Sequence, residues 1–245
     1  MQEKNTVIHL DIIKHLICYF ISFIGLSLIY SILFEIASLF PSFKESNFEN
    51  NAILLQILAY GLTFISLIIY LYNICLKDII KQYKNIQNVL NGFLYGFGLI
   101  VGVIIVGRVC SILGEIIGVQ ITTNDNETSI RESITAMPIL TAFMTVLFAP
   151  ITEEIGYRLG LFGGIHKYNR FAAYAVTALV FALIHFEFAA DNIVNELLNL
   201  PPYIFAGVWL CLTYEKSGSI VTSITAHMTN NAVTLILFLI QTTQA

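Results

Sequence analysis

Long apolar runs separated by short polar segments divide almost the whole chain. A transmembrane helix needs about 20 predominantly apolar residues to cross the ~30 Å hydrocarbon core of a bilayer. The runs cover approximately residues 16–33, 53–76, 92–113, 139–165, 171–185, 203–214 and 220–240. This pattern predicts an all-α, polytopic membrane helix bundle with about seven transmembrane helices. Because the sixth run is short, six to eight helices are compatible with it.

The composition supports a membrane location. Hydrophobic residues make up 57% of the 245 residues and charged residues only 11%, whereas soluble domains carry about 25% charged residues. A net charge of −4 without a basic cluster argues against a nucleic-acid partner. The four cysteines are isolated from one another and indicate small core residues. Because no domain boundary or repeat is visible, we expect a single transmembrane domain over residues 1–245.

Positive residues flank the runs asymmetrically. With a cytoplasmic amino terminus, only Lys44 and Arg131 flank the runs on the outer side. The inner side then holds eight such residues: Lys4, Lys14, Lys77, Lys81, Lys84, Lys167, Arg170 and Lys216. The positive-inside rule therefore predicts an integral membrane protein whose amino terminus is cytoplasmic. The chain is rich in Ile and Asn, which AT-rich bacterial genomes tend to encode, and this favours a bacterial plasma-membrane protein.

The fourth run contains two adjacent carboxylates and an arginine. Ionised side chains at this depth cost several kcal/mol unless they are paired or hydrated, so they indicate a functional site. On a helix, Glu154 and Arg158 share one face and are predicted to pair, whereas Glu153 points roughly 100° away and is expected to face a cavity. Pro150 is expected to free the carbonyl of Val146 and to kink the helix. The alternative is a purely structural Glu–Arg pair that joins two helices.

Further polar residues lie at a similar depth in later runs. Counted from the cytoplasmic end at 1.5 Å per residue, Glu153 lies about 18 Å deep, His185 about 21 Å, His227 about 12 Å and Asn231 about 18 Å. His227 and Asn231 are four residues apart and share a helix face. We therefore expect these residues and Glu154 to converge on one cavity that opens towards the cytoplasmic side.

These residues also resemble the motifs of a known family. Residues 153–158 match EExxxR, residues 181–185 match FxxxH, and residues 227–231 match HxxxN of the CPBP intramembrane proteases. This family comprises type II CAAX prenyl endopeptidases and bacteriocin-processing or Abi proteins. The motifs occur in the family's order, and the resemblance implies a catalytic core at about residues 135–240. Gly160 lies one residue later than the glycine of many members, which affects no proposed catalytic group.

The resemblance implies an intramembrane endopeptidase that cleaves a membrane-associated protein or peptide precursor, either of CAAX type or in bacteriocin leader processing. Hydrolysis needs a base for water, donors for the oxyanion and an acid for the leaving amine. Glu153 is the candidate base, and His185 is expected to orient the water. His227 and Asn231 are expected to donate hydrogen bonds to the oxyanion.

Two chemical questions stay open at this point. The first is whether Glu153 or Glu154 is the base, since a rotation of the kinked helix would exchange their roles; in the first case Arg158 only supports Glu154. The second is the cofactor, which is either absent or zinc. Glu153, His185 and His227 would make a three-ligand zinc set with an open position.

Two other function classes are compatible with the sequence. One is a non-catalytic membrane scaffold or bacteriocin immunity protein that uses the polar layer only for stability. The other is a transporter or proton relay, although the amino-terminal half shows no repeat of the acidic or histidine segments. In every case, we expect the lipid bilayer as a partner, and for the protease also a peptide or membrane-protein substrate.

Overall fold

The computed structural model describes residues 8–40, 43 and 48–244. Over these residues the chain forms nine helices and no strand. In chain order the helices are α1 (Ile12–Ser38), α2 (Phe48–Tyr72), α3 (Leu76–Lys84), α4 (Ile86–Ile116), α5 (Asp125–Ala136), α6 (Pro138–His166), α7 (Arg170–Leu183), α8 (Ile193–Ser217) and α9 (Ile220–Gln244). The prediction of an all-α polytopic bundle is confirmed.

Six of the described helices are long and apolar enough to cross a membrane: α1, α2, α4, α6, α8 and α9. The remaining apolar helix, α7, has only 14 residues, but it runs between the two ends of the bundle. At its start, Arg170 Nε donates to Glu215 Oε1 near the end of α8 at 2.6 Å. Beyond its end, the carbonyl of His185 accepts from Asn124 Nδ2 before α5 at 3.2 Å. Within the described residues, α7 therefore connects the same two ends as α8.

Two predicted boundaries are wrong. The apolar run at residues 203–214 is only part of α8, which begins at Ile193 and continues through Pro201 and Pro202. The first turns of α8 contain polar residues that bond to the segment before α5. For example, Asn195 Oδ1 accepts from the backbone N–H of Thr122 at 2.9 Å. The fifth run is helical only to Leu183, so His185 lies in the turn after α7 rather than inside a helix.

The two ends of the bundle differ in charge. The lysine-rich end consists of α3 and of the links between α6 and α7 and between α8 and α9; it contains Lys77, Lys81, Lys84, Lys167 and Lys216. It is closed by Gln82 of α3, whose Oε1 accepts from Ser219 Oγ at 3.1 Å and from Ile220 N at 3.0 Å. The opposite end, called the α5 end below, consists of α5 and the segments 117–124 and 184–192.

Helix α9 is held against α4 by the small residues of α4. A Cβ added at Gly92 would lie 2.4 Å from Thr225 Cβ, and one added at Gly96 would lie 2.6 Å from Thr229 Cβ. Such close approach of two backbones requires the small-xxx-small spacing common in membrane helix pairs. This contact fixes the rotation of α9, and with it the direction of the His227 side chain.

Candidate active site

Helix α6 departs from α-helical geometry on both sides of its two glutamates. Residues Met144–Phe148 and Ile155–Phe162 are π-helical, and the N–H of Ala149 bonds to the carbonyl of Met144 five residues earlier. The glutamates lie on the α-helical turn Ala149–Glu154 between these stretches. Widened π turns are rare and occur frequently at functional sites.

Pro150 explains why Asn231 is fixed to α6. In a π turn, the carbonyl of Thr145 would accept from residue 150, but proline has no N–H. The Nδ2 atom of Asn231 on α9 donates to this carbonyl instead, at 2.9 Å. In a regular α-helix, Pro150 would leave the carbonyl of Val146 without a donor, as the sequence predicted. In the structure, the carbonyl that α9 satisfies is instead that of Thr145, one residue earlier.

Glu154 is fully buried and uses both of its carboxylate oxygens. Its Oε1 accepts from Arg158 Nη1 at 2.9 Å and lies 2.9 Å from His227 Nδ1, and its Oε2 accepts from Ser223 Oγ at 2.5 Å. A buried carboxylate needs such partners because desolvation is otherwise unfavourable. The predicted ion pair with Arg158 is present.

Arg158 joins three helices. It is fully buried, and besides Glu154 its Nη2 donates to the carbonyl of Gly207 on α8 at 3.3 Å. Its guanidinium carbon lies 4.7 Å from the centre of the Phe181 ring on α7, within the range of a cation–π contact. These contacts hold α6 against α7 and α8.

His227 connects the two glutamates. Because the Glu154 carboxylate can only accept, the proton on Nδ1 of His227 is assigned to this contact, which leaves a lone pair on Nε2 of the neutral ring. That Nε2 atom lies 3.9 Å from Glu153 Oε2. The side chain of Glu153 is 14% exposed, and its Oε2 has no hydrogen-bond partner among the described residues.

His185 is held both by the end of α7 and by residues of other elements. Its Nδ1 lies 2.8 Å from the carbonyl of Phe181, which again assigns the proton to Nδ1 and the lone pair to Nε2. The imidazole stacks on the ring of Tyr203, with centroids 4.7 Å apart and planes 20° apart. Asn124 holds the backbone carbonyl of His185, and Tyr203 OH donates to Asn124 Oδ1 at 3.4 Å.

Two residues that organise this turn, Asn124 and Glu196, were not predicted from the sequence. Asn124 caps α5 by accepting from the N–H of Glu127 at 3.0 Å, and the Asn-x-x-Glu pattern is a helix-start signal that was available. Glu196, the second of these residues, is 2% exposed within α8. Its two oxygens accept from the N–H groups of Asp125 and Glu187, at 2.9 and 3.2 Å.

One cavity of about 510 Å³ brings four of the five candidate residues together: Glu153, His185, His227 and Asn231 all line it. We call it the larger cavity. Glu154 is not among its lining residues and lies behind His227. The structure therefore brings together four of the five residues that were predicted to converge, and Glu154 does not line the cavity.

The larger cavity extends to the α5 end. Its lining includes Glu127 and Arg131 of α5 and Asn199 of α8. None of the lysines of the lysine-rich end lines it, and Ser219 at that end is fully buried. The expectation that the cavity opens on the side of the lysines is therefore wrong. The depths counted along the helices placed these residues near the middle of the membrane. A cavity at that depth can open towards either side, so the count did not predict the direction.

The histidines fit a metal site only in part. Both have Nδ1 held by an oxygen and Nε2 free for another contact, as metal-binding histidines do. However, no group of three His, Cys, Asp or Glu side chains in the described part of the chain is arranged to hold a metal ion. The predicted set of Glu153, His185 and His227 does not meet this geometry.

Comparison with known proteins shows a family similarity for the segment that carries the site. The family model described as type II CAAX prenyl endopeptidase Rce1-like matches residues 135–233, a segment that contains all three motifs. No curated protein and no solved structure matches the chain. The matched segment runs from the end of α5 into α9 and includes Glu153, Glu154, Arg158, His185, His227 and Asn231, but not Asn124. Residues 135–233 are therefore similar to the CPBP intramembrane proteases, the family that the three sequence motifs also resemble.

Proposed function

We propose that the protein hydrolyses a peptide bond with a water molecule activated by Glu153, within a catalytic core at about residues 135–240 of a single transmembrane domain. The similarity of residues 135–233 to type II CAAX prenyl endopeptidases supports an endopeptidase as the reaction class. The observation that carries the assignment is the Glu153 carboxylate, which lines the larger cavity and has an unpartnered Oε2 among the described residues. A buried acceptor is costly to leave unpaired, so a function that uses this oxygen explains its retention.

In the proposed reaction, Glu153 takes a proton from water while the water oxygen attacks the scissile carbonyl carbon. The same proton then passes to the amine nitrogen as the carbon–nitrogen bond breaks. Glu154 is unsuited to this role because Arg158, His227 and Ser223 occupy its oxygens. A general base must be reachable by the proton that it removes.

The other polar residues supply hydrogen bonds. Protonated His227 can donate from Nε2 to the oxyanion, and the carboxylate of Glu154 at Nδ1 stabilises that imidazolium. Asn231 can donate as well, because an amide nitrogen has two hydrogens and Thr145 uses one. His185 presents a lone pair on Nε2 and can accept a hydrogen bond from the attacking water.

A second assignment of the base follows from the contact between His227 and Glu154. A histidine whose Nδ1 proton is held by a buried carboxylate can itself act as the base through Nε2. In that case, Glu153 only adds negative charge nearby, and its amide variant would keep a substantial part of the turnover. The Glu153→Gln variant therefore separates the two assignments.

The larger cavity limits the substrate. Its volume of about 510 Å³ lies within the usual range of small-molecule pockets and suits a short extended peptide segment rather than a folded domain. With a bacterial source and a cytoplasmic amino terminus, both of which we propose, the substrate is a peptide precursor such as a bacteriocin leader, reached from the outer side. A prenylated CAAX tail would be the corresponding substrate in a eukaryote.

A non-catalytic scaffold or immunity protein is the main alternative. Both carboxylate oxygens of Glu154 have hydrogen-bond partners, and this cluster would stabilise a scaffold equally well. Glu153 would add no comparable stability to a scaffold, because its Oε2 has no hydrogen-bond partner among the described residues. A scaffold should therefore tolerate Glu153→Gln, whereas a protease should not.

The Glu153→Gln variant tests the proposal. Comparison of peptides from cells with the intact protein and with the variant identifies substrate and cleavage site together. A quenched-fluorescent peptide carrying that site then reports turnover by purified protein. We expect a loss of at least about 10²-fold, because basicity is removed while size is kept, and an unchanged melting temperature.

Glu115→Gln is the matched control, because Glu115 is exposed on α4 and does not line the larger cavity. It should leave turnover unchanged. Identical peptide profiles for intact protein and Glu153→Gln, with both proteins folded, would contradict the proposed hydrolysis.

A further inference from the structure

A second cavity adjoins Glu153. It has a volume of about 170 Å³ and lies among α1, α2, α6 and the turn after α7. Two of its lining residues, Tyr60 and Glu153, also line the larger cavity. The Glu153 side chain is therefore part of the wall common to both cavities. We call this second space the smaller cavity.

Unpartnered polar atoms surround the smaller cavity. Ser22 and Tyr157 line it and are 6% and 2% exposed. Neither Ser22 Oγ nor Tyr157 OH has a hydrogen-bond partner among the described residues, and the same holds for Glu153 Oε2. Buried polar groups in proteins are normally paired with protein or with ordered water. Three such atoms around one space indicate that the space is hydrated, because a buried water needs two to four polar partners.

The backbone brings these atoms together in a specific way. Ser22 lies in a π-helical stretch of α1, Ile21–Gly25, opposite Gly156 of α6. A Cβ added at Gly156 would lie only 2.5 Å from Ser22 Cβ. The glycine therefore allows α1 to approach the turn that follows Glu153, and Ser22 lines the cavity beside that turn.

We propose that the smaller cavity is the water compartment of the active site, in which Ser22 and Tyr157 hold water against Glu153. This inference rests on the proposed hydrolysis. A peptide in the larger cavity displaces the water there and blocks the route from the α5 end. The nucleophilic water then has to come from a space that the peptide does not fill, and the smaller cavity is such a space next to the base. Ser22 and Tyr157 are thus positioning residues.

Two variants that each remove one hydroxyl test this inference. Ser22→Ala keeps the Cβ that packs against Gly156, and Tyr157→Phe keeps the ring. With the quenched-fluorescent peptide, we expect kcat to fall by about tenfold or more while KM stays within about twofold, because peptide binding uses the other cavity. The melting temperature should stay the same or fall, since a hydrogen bond to water is lost.

If the smaller cavity contains no water, the two variants should show the opposite change in melting temperature. Removing a buried hydroxyl that has no partner relieves a desolvation cost, so both variants would melt at higher temperature with unchanged kcat. That outcome would overturn the inference. Thr177→Val serves as the matched control, because the Thr177 hydroxyl is also buried without a partner among the described residues but lines neither cavity. It should raise the melting temperature without changing kcat.

The result is separable from the proposed function. Normal kcat in Ser22→Ala and Tyr157→Phe beside an inert Glu153→Gln would reject the water compartment and leave the glutamate mechanism intact. Normal kcat in Glu153→Gln would reject that mechanism whatever the other two variants do.

Discussion

Two neighbouring glutamates have opposite environments. Glu154 is fully buried and is bonded to Arg158, His227 and Ser223, whereas Glu153 lies between two cavities with one oxygen unpartnered among the described residues. The first arrangement stabilises a charge, and the second keeps a carboxylate available to a ligand. At the scale of single residues, the fold therefore places Glu154 in a bonded cluster and leaves Glu153, which we propose to take part in the reaction, accessible from the cavities.

Replacing Arg158 by alanine should destabilise the protein. It would leave the Glu154 charge buried without its cation, and we expect the free energy of unfolding to fall by about 3–5 kcal/mol. Thermal melting in detergent measures this. Arg158→Lys is the informative comparison: a single ammonium cannot reproduce the forked contact to Glu154 and Gly207, so only partial recovery is expected. A well-folded Arg158→Ala protein without hydrolysis would instead assign Arg158 to the reaction.

Glu154→Gln should show the reverse of the Glu153→Gln profile. The variant leaves Arg158 buried without its anion, so the melting temperature should fall and the loss of unfolding free energy should again be about 3–5 kcal/mol. Turnover per folded molecule should fall less than in Glu153→Gln. A stable but inert Glu154→Gln beside an active Glu153→Gln would show that the two residues have exchanged roles.

At the scale of helices, the sequence predicts what depends on local spacing. The four-residue spacing of Glu154 and Arg158 predicted their ion pair, and the apolar runs predicted most of the spans. The contacts of His185 were not predictable in this way: Asn124 is 61 residues away from it in the chain, and Tyr203 belongs to a helix whose start was predicted wrongly. Partners joined only by tertiary packing leave no periodic signal.

The π turn before Glu153 depends on a pair of residues from two helices. We expect Asn231→Ala to cost about 1–3 kcal/mol of unfolding free energy, because the carbonyl of Thr145 loses its donor. In a Pro150→Ala background, residue 150 regains an N–H that can satisfy this carbonyl, so the same change should cost less. Melting of both single variants and the double variant measures the coupling, expected at about 0.5–3 kcal/mol. Strictly additive costs would show that the proline does not create the need for Asn231.

At the scale of the whole molecule, the closed end and the open end carry different charges. The lysine-rich end is sealed by the contacts of Gln82 with α9, and the larger cavity reaches the α5 end. The positive-inside rule predicts that the lysines lie in the cytoplasm. With that orientation, we expect the larger cavity to face away from the cytoplasm.

Cysteine labelling in intact cells tests this orientation. The four native cysteines are buried, so single cysteines introduced at exposed positions should dominate the signal. Glu132→Cys lies on α5 and Lys81→Cys on α3, and both native side chains are exposed. We expect a membrane-impermeant maleimide to label Glu132→Cys in intact cells and Lys81→Cys only after permeabilisation. The reverse pattern would place the larger cavity on the cytoplasmic side, and the substrate would then be a cytoplasmic peptide rather than an exported one.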